Sequence, residues 1–417
     1  MPPTLPTLLE ATLKLTFQFT STLSTPLPPQ SLSDDNKKDK PPAPLPLLST
    51  SATALKAQTT KLSLLAINQP FTPSAVITVL TAVNETILPS LVTAALLTIP
   101  AEYTQAFHTE AELLVKDVLR EFGSLIGIVK EIARSDGQNV VVTEQQKAEV
   151  MSATGRTFKG CEQLVTFAEE GVVGFVAGKA RQYLELVRDG MRELEEWDPE
   201  EEGDEGDDMF WGDGGDDGDD GGFGKLDKQE DEKGAGKGKG KGKAKATSDD
   251  EDEDGGDVSI ATLSAEKSHL LRLLTPLSKI YPAIITHRLK PKKNTPSSSK
   301  NEHPDPLTPH LDRLIQHLRD LPNLLDEAAG ALYDHDIENA HTYTTKLCNC
   351  AFLAAKVAIG APQVGTGDEG ENEEGKGDAE QEKGKKAAAP AADEDKFPKW
   401  AETWMKVVGE IAKSRAN

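Results

Sequence analysis

The sequence predicts an all-α protein: two helical bundles joined by a long disordered acidic linker. Apolar residues recur at alternating steps of three and four through most of the chain, and the one strand-like run, residues 140–142, is three residues long. Charge is also segregated. Residues 198–257 hold 24 Asp or Glu against 8 Lys, and residues 361–396 hold 11 against 5. Their net charges of −16 and −6 leave the rest of this chain, whose total is −23, almost neutral. Finally, Thr143 followed by Gln146 forms a capping box at the head of a long amphipathic stretch that runs to Trp197.

Taken in order, Leu5, Leu8, Thr12, Leu15 and Phe19 share a face of a first helix. The Pro-rich stretch 24–47 predicts an exposed loop. Leu48, Ala52, Leu55, Thr59, Leu62 and Ala66 then step by 4, 3, 4, 3 and 4, which is the seam of a second helix. Thr72 and Pro73 suit the N-cap and first position of a third, which should kink or break at Pro89. The apolar run 75–99 is the nearest approach to a membrane span, but Asn84, Glu85 and Pro89 interrupt it, so no membrane association is expected. After Pro100, a fourth helix carries Ala111, Val115, Val118, Phe122, Leu125, Val129 and Ile132, ending near residues 135–137.

Behind the capping box, Met151, Thr154, Phe158, Cys161, Val165 and Ala168 mark one side of a helix that Gly171 can end. Val173, Val176, Ala180, Tyr183, Val187, Met191 and Leu194 mark another, so the pair reads as an αα-hairpin. On this reading an Asp at position 158 would unfold the bundle. The acidic wall after Trp197 ends the first unit at residues 1–197, with 198–257 as linker.

The second unit is residues 258–360 plus 397–417, interrupted by a disordered acidic insert at 361–396. Its stripes are Leu270, Leu274, Leu277, Tyr281 and Ile284; Leu311, Leu314, Ile315, Leu318 and Leu321, renewed after Pro322 by Leu324, Leu325, Ala328 and Leu332; and Tyr343, Leu347, Cys350, Ala354 and Val357. A basic Ser/Pro-rich loop, 290–306, precedes Thr308 and Pro309. The last helix, with Trp400, Trp404, Val407 or Val408, and Ile411, is expected to dock onto this bundle.

Candidate chemistry is thin. Cys348 and Cys350 with His341 lack the paired spacing of a metal site, so Cys350 reads as core and Cys348 as near the surface. Cys161 lies on an apolar stripe and reads as a core thiol. His310 and His317 sit two turns apart, with His303 in the preceding loop, and read as a polar stripe. Glu193, Glu195 and Glu196 open the acidic tract and are not a catalytic pair. The glycines of GKGKGKGK do not join a strand to a helix, so they form no phosphate cradle. No metal, cofactor or catalytic residue is expected. Ser248, followed by Asp-Asp-Glu, is a candidate phosphorylation site for an acidophilic kinase. Lys-Pro-Lys-Lys at 290–293 is a weak nuclear-import signal. Net acidity argues against direct nucleic-acid binding. Three cysteines make no disulfide framework and the start of the chain resembles no signal peptide, so cytoplasm and nucleus are the expected compartments.

Within the central stretch, TGRTFKGCEQL and the closing DGMRELEEW resemble the Grap2 and cyclin-D-interacting protein family, also called cyclin-D-binding proteins. The matching positions are Thr154, Gly155, Phe158 (where the family pattern has Trp), Cys161, Glu162 and 193–197. The resemblance implies talin-like antiparallel helical bundles and a non-enzymatic interaction protein that restrains the cell cycle through cyclin D or pairs with helix-loop-helix factors. Gly155 and Gly160 lie near the stripe and would admit a close helix, which makes this face a candidate interface unless it is buried within the bundle. The alternative is an acidic, chaperone-like binder of histones or ribosomal proteins through 198–257. The oligomeric state is not legible.

Overall fold

The computed structural model describes residues 4–25, 42–68, 70–134, 142–200, 259–289, 308–361 and 395–414. Most of the Pro-rich loop, the linker, the basic loop, the insert and residues 140–141 lie outside these ranges, together with Ser248, His303 and 290–293. Among the described residues there is no strand. The helices are α1 (Leu5–Thr22), α2 (Pro44–Ile67), α3 (Pro73–Ala82), a π-helical turn (Val83–Ile87), α4 (Leu88–Leu96), α5 (Pro100–Tyr103), α6 (Gln105–Arg134), α7 (Glu144–Glu196), α8 (Ile260–Leu277), α9 (Ile280–His287), α10 (Thr308–Tyr333), α11 (Ile337–Gly360) and α12 (Phe397–Lys413).

The first bundle closes as a ring. α6 lies between α1 and α7, α7 is flanked by α2, and the rod α3–π–α4 returns past α2 to α1 and α6. Neighbours run antiparallel, as paired contacts show: Glu10 with Lys130 and Leu23 with Lys116 on α1 and α6, Arg156 with Glu121 and Gly160 with Val118 on α7 and α6, Lys56 with Glu162 and Ser63 with Thr154 on α2 and α7. The α2 and α6 stripes are buried at every position expected from the sequence. The rod, Pro73–Leu96, is long and apolar enough to cross a membrane by length and composition. In this fold it supplies core residues, among them Val76, Leu80, Val83, Leu88 and Leu91. Pro89 does not end it. The π turn just upstream accommodates the missing amide, and the helix continues. Thr72 does not cap α3 through its side chain; its hydroxyl instead donates to the Pro70 carbonyl at 3.2 Å.

α7 carries the largest departure from expectation. It is one 53-residue helical run whose interior is interrupted only at Gly171 (φ 61°, ψ −167°). The expected break is present, but the two seams find other partners than each other. The first arm lies against α2 and α6, while Gly190 and Trp197 of the second meet Leu325 and Tyr333 of α10. Phe107, Phe167 and Phe175 cluster at the break, with ring centroids 4.2 and 5.5 Å from that of Phe107. The stripe of the first arm is also displaced. Val150, Ala153, Thr157, Cys161, Leu164 and Phe167 are buried; Met151 is 65% exposed, and Thr154, Phe158 and Val165 are half-buried. A helix gripped by two neighbours buries a broad face centred between them, and the sequence pattern picked out one flank.

The second bundle is built on that second arm, which packs against α10, α8 and α9; α11 lies on α10, and α12 lies on α11 and α8. α7 and α10 run parallel, because α8–α9 returns between them. Pro276 and Pro322 both lie inside helices. α12 docks as expected: Trp404 donates to the Pro276 carbonyl at 2.8 Å and stacks edge-on with Phe352. Arg288, 3% exposed, forms a bidentate pair with Asp395, donates to the Ala358 carbonyl, and lies over the Phe397 ring. The two bundles touch. Thr308 donates to the Glu102 carbonyl, Gln105 N–H donates to Asp312, and a single apolar cluster runs through both.

A left-handed φ with ψ near 180° is a region that essentially only glycine occupies, at a cost to other residues of about 1–3 kcal/mol. The space around Gly171 is not the obstacle, since an added Cβ would meet only Leu45 at 3.8 Å. Gly171→Ala is therefore expected to lower unfolding free energy by about 1–3 kcal/mol in a urea titration, through backbone strain alone; an unchanged midpoint would remove Gly171 as the determinant of the break.

Candidate functional site

Of the residues that carry the family resemblance, Thr154, Gly155, Phe158, Cys161 and Glu162 sit on the first arm of α7, where it meets α2 and α6, while 193–197 close the second arm. Thr154, Phe158 and Glu162 follow at intervals of four, so they form one line along the helix. That line faces α2. The Thr154 and Ser63 hydroxyls meet across the seam. Lys56 Nζ lies 2.6 Å from Glu162 and 5.5 Å from the centroid of the Phe158 ring. Both charged partners of this pair are exposed, so it contributes about 0–1 kcal/mol; its effect is to fix the register of α2 on α7. Lys56 and Ser63 were not singled out from the sequence. Their only signal is that they flank the α2 stripe at Leu55 and Leu62.

Cys161, on the buried face beside that line, belongs to the core. It is fully buried, and burial pushes its thiol from an ordinary 9.0 to about 12, with Lys56 opposing and Glu162 adding to the shift. A thiol held neutral in this way is no nucleophile at neutral pH. Phe158 is a seam residue and not a core one. An Asp there would meet Lys56 and solvent, so the expected cost of Phe158→Asp falls from unfolding to about 1 kcal/mol, part of the value of a fully buried side chain.

The two glycines separate. Gly160 faces α6, where an added Cβ would lie 2.7 Å from Val118 Cγ2, so this is a true close approach. Gly155 has nothing within 4 Å of an added Cβ and is exposed. With Met151 beside it and the half-covered Phe158 and Glu162 further along, Gly155 belongs to a strip on the outside of the bundle. This strip is the open part of the motif.

Among the described residues, no group of three or more His, Cys, Asp or Glu is placed to hold a metal ion. Cys348, expected near the surface, is buried like Cys350, because α11 is covered by α10 on one side and by α8 and α12 on the other. Burial pushes both thiols up to about 11. His341 faces Glu266 at 3.5 Å, and Cys350 donates to the carbonyl of His317. His310 lies near Gly360, away from that pair. At the end of α7, Lys267 donates to the carbonyls of Glu195 and Trp197, supplying the positive charge that the glutamates there withhold from the helix terminus.

Two outcomes test this geometry. Gly155→Ala should stabilise the chain by about 0.5–1 kcal/mol, the helix-propensity gain at an open position. Gly160→Ala should destabilise it by about 1–3 kcal/mol through overpacking against Val118. Equal signs in thermal melts would show that the α6–α7 contact is misplaced. The three thiols are expected to resist iodoacetamide at pH 8 until urea is added. Because the folded thiol of Cys161 ionises later than the unfolded one, its contribution to stability is complete below pH 9 and is lost as pH rises through about 12. A melting temperature unchanged across that interval would contradict its burial.

A comparison with family models matches residues 47–200 to the Grap2 and cyclin-D-interacting, N-terminal model. Comparisons with curated proteins and with solved structures return no match. The matched range starts in α2, takes in the whole of α7 with the strip and both glycines, and covers under half of the chain. Residues 47–200 are thus similar to the N-terminal domain of the Grap2 and cyclin-D-interacting family, and this match supports the resemblance carried by the α7 motif.

Proposed function

We propose that this chain is a non-enzymatic regulator of cell-cycle progression that binds helical protein partners through its bundles. D-type cyclins and helix-loop-helix factors are the partner classes, and cytoplasm and nucleus are its compartments. The observation that supports the reading is the family match, because the matched range contains the first arm of α7, where Met151 and Gly155 face solvent beside the motif. Met151, Gly155, Phe158 and Glu162 offer a shallow apolar ridge with an acidic end, a surface suited to a second amphipathic helix.

The charge map favours a second reading. Sixteen net negative charges within 198–257 would attract histones or ribosomal proteins, and Ser248 phosphorylation would add to them. Neither reading involves direct contact with nucleic acid or membrane.

The test is binding of the purified full chain to a purified D-type cyclin, to a helix-loop-helix protein and to core histones. Gly155→Arg blocks the strip without entering the core, and is expected to weaken cyclin or helix-loop-helix binding about tenfold or more at physiological salt. If Gly155→Arg is silent, and binding instead collapses between low and high salt or on deletion of 201–258, the acidic stretch is the binding element.

A further inference from the structure

α2 and α7 meet along a seam whose register two contacts fix: Ser63 stands opposite Thr154, and Lys56 opposite Glu162. Just outside that seam the surface is apolar on both helices. On α2, Leu64 directly follows Ser63 and is 51% exposed; on α7, Met151 lies one turn before Thr154 and is 65% exposed. Gly155 lies beside them, with open space where a Cβ would stand, and the half-covered ring of Phe158 continues the line toward Glu162. At 1.5 Å of rise per residue the line from Met151 to Glu162 is about 16 Å long, roughly three turns of a second helix. Exposed apolar side chains are ordinarily scattered singly; gathered along one groove between two helices, they mark a contact surface.

The free charges around this groove have one sign. α2 contains no Asp or Glu, and its Lys61 lies one turn before Leu64. On α7, Lys159 lies one turn after Gly155. Both lysines are exposed, and among the described residues neither belongs to an ion pair. Glu162, the carboxylate at the end of the line, is already held by Lys56 at 2.6 Å. Glu149, further toward the start of α7, accepts from the Gln145 amide. An unpaired cation on either flank, with no unpaired anion between them, selects a partner that brings its own carboxylates.

We infer that the outer groove between α2 and α7 takes an acidic amphipathic helix of a protein partner. Its apolar side chains lie on Leu64, Met151 and Phe158, its backbone passes over Gly155, and its flanking carboxylates meet Lys61 and Lys159. This rests on the protein-binding reading of the strip and adds two things to it: the sign of the partner's charge, and the share of the contact that α2 takes.

The probe is a fluorescent designed peptide with leucine along one helical face and glutamate on both flanks, titrated into the purified full chain. It requires no cyclin, so a failure to bind cyclin and a failure of this groove are distinct results. Saturable binding is expected, weakened about tenfold or more by Lys61→Glu/Lys159→Glu and likewise by Leu64→Ser/Met151→Ser. All four positions are exposed, so both variants should melt close to the parent chain, and the loss then reports contact and not folding. Lys356→Glu/Lys406→Glu makes the same change of net charge on α11 and α12 and should leave binding as it was. A second peptide with lysine in place of glutamate should bind the Lys61→Glu/Lys159→Glu chain more tightly than the Lys356→Glu/Lys406→Glu chain. The inference is overturned by a glutamate peptide that does not bind, by equal weakening from the two charge reversals, or by indifference to Leu64→Ser/Met151→Ser. Binding that emerges only on deletion of 201–258 would give the groove to this chain's own Met209, Phe210 and Trp211, which stand between aspartates, and refute the partner assignment. A full-chain dimer that Leu64→Ser/Met151→Ser dissociates in sedimentation would refute it in favour of a second copy.

Discussion

α7 is the element that both bundles bury, and its two arms can do so because Gly171 holds φ 61° and ψ −167° between them. One arm supplies the wall shared by α2 and α6; the other supplies the floor on which α10 is laid. Any residue that forced ordinary helical angles at position 171 would carry the second arm away from Phe107, which now stacks on Phe167 before the break and meets Phe175 after it edge to face. The contacts of Thr308 with Glu102 and of Asp312 with Gln105 sit at the same corner, so the mutual placement of the bundles depends on the same backbone conformation. The matched range, 47–200, therefore does not coincide with the first bundle, since it leaves out α1. Its last helix is already part of the second.

The all-α architecture was legible because helical periodicity is a local signal, and it was read most accurately where a helix presents one well-defined seam. α2 and α6 show this, with every expected position buried. The first arm of α7 was misregistered by about one residue for a physical reason: with neighbours on two sides, a helix buries a wide arc, and a pattern of threes and fours fits either flank. Cys348 was misjudged on the same ground, since residues two apart occupy different faces and only a helix covered on both sides buries both. The break at Gly171 could be read, but its consequence could not. Whether two arms fold on each other or find separate partners is decided by α10, more than a hundred residues away.

The motif shows what sequence similarity compresses into one string. Cys161 and Gly160 fill and narrow the interior, Thr154, Phe158 and Glu162 fasten α2, and Gly155 with Met151 faces solvent. Three physical tasks share about a dozen positions; the third is open to a partner, with the accessible edges of Phe158 and Glu162 beside it. Lys56 and Ser63, which complete the fastening, lie about a hundred residues earlier, and nothing local marks them as belonging to it.

Arg288 has an effect beyond the packing of its own neighbours. By gripping Asp395 with one edge of its guanidinium and the Ala358 carbonyl with another, it holds the end of α11 and the approach to α12 at one point. Loop-closure entropy grows only with the logarithm of length, by about 0.6 kcal/mol for each doubling. With its two ends tied to the same cation, the stretch between them can lengthen, shorten or change composition over generations while the Trp404 helix keeps its berth. The staple makes that interval a place where sequence can drift without the bundle registering the change.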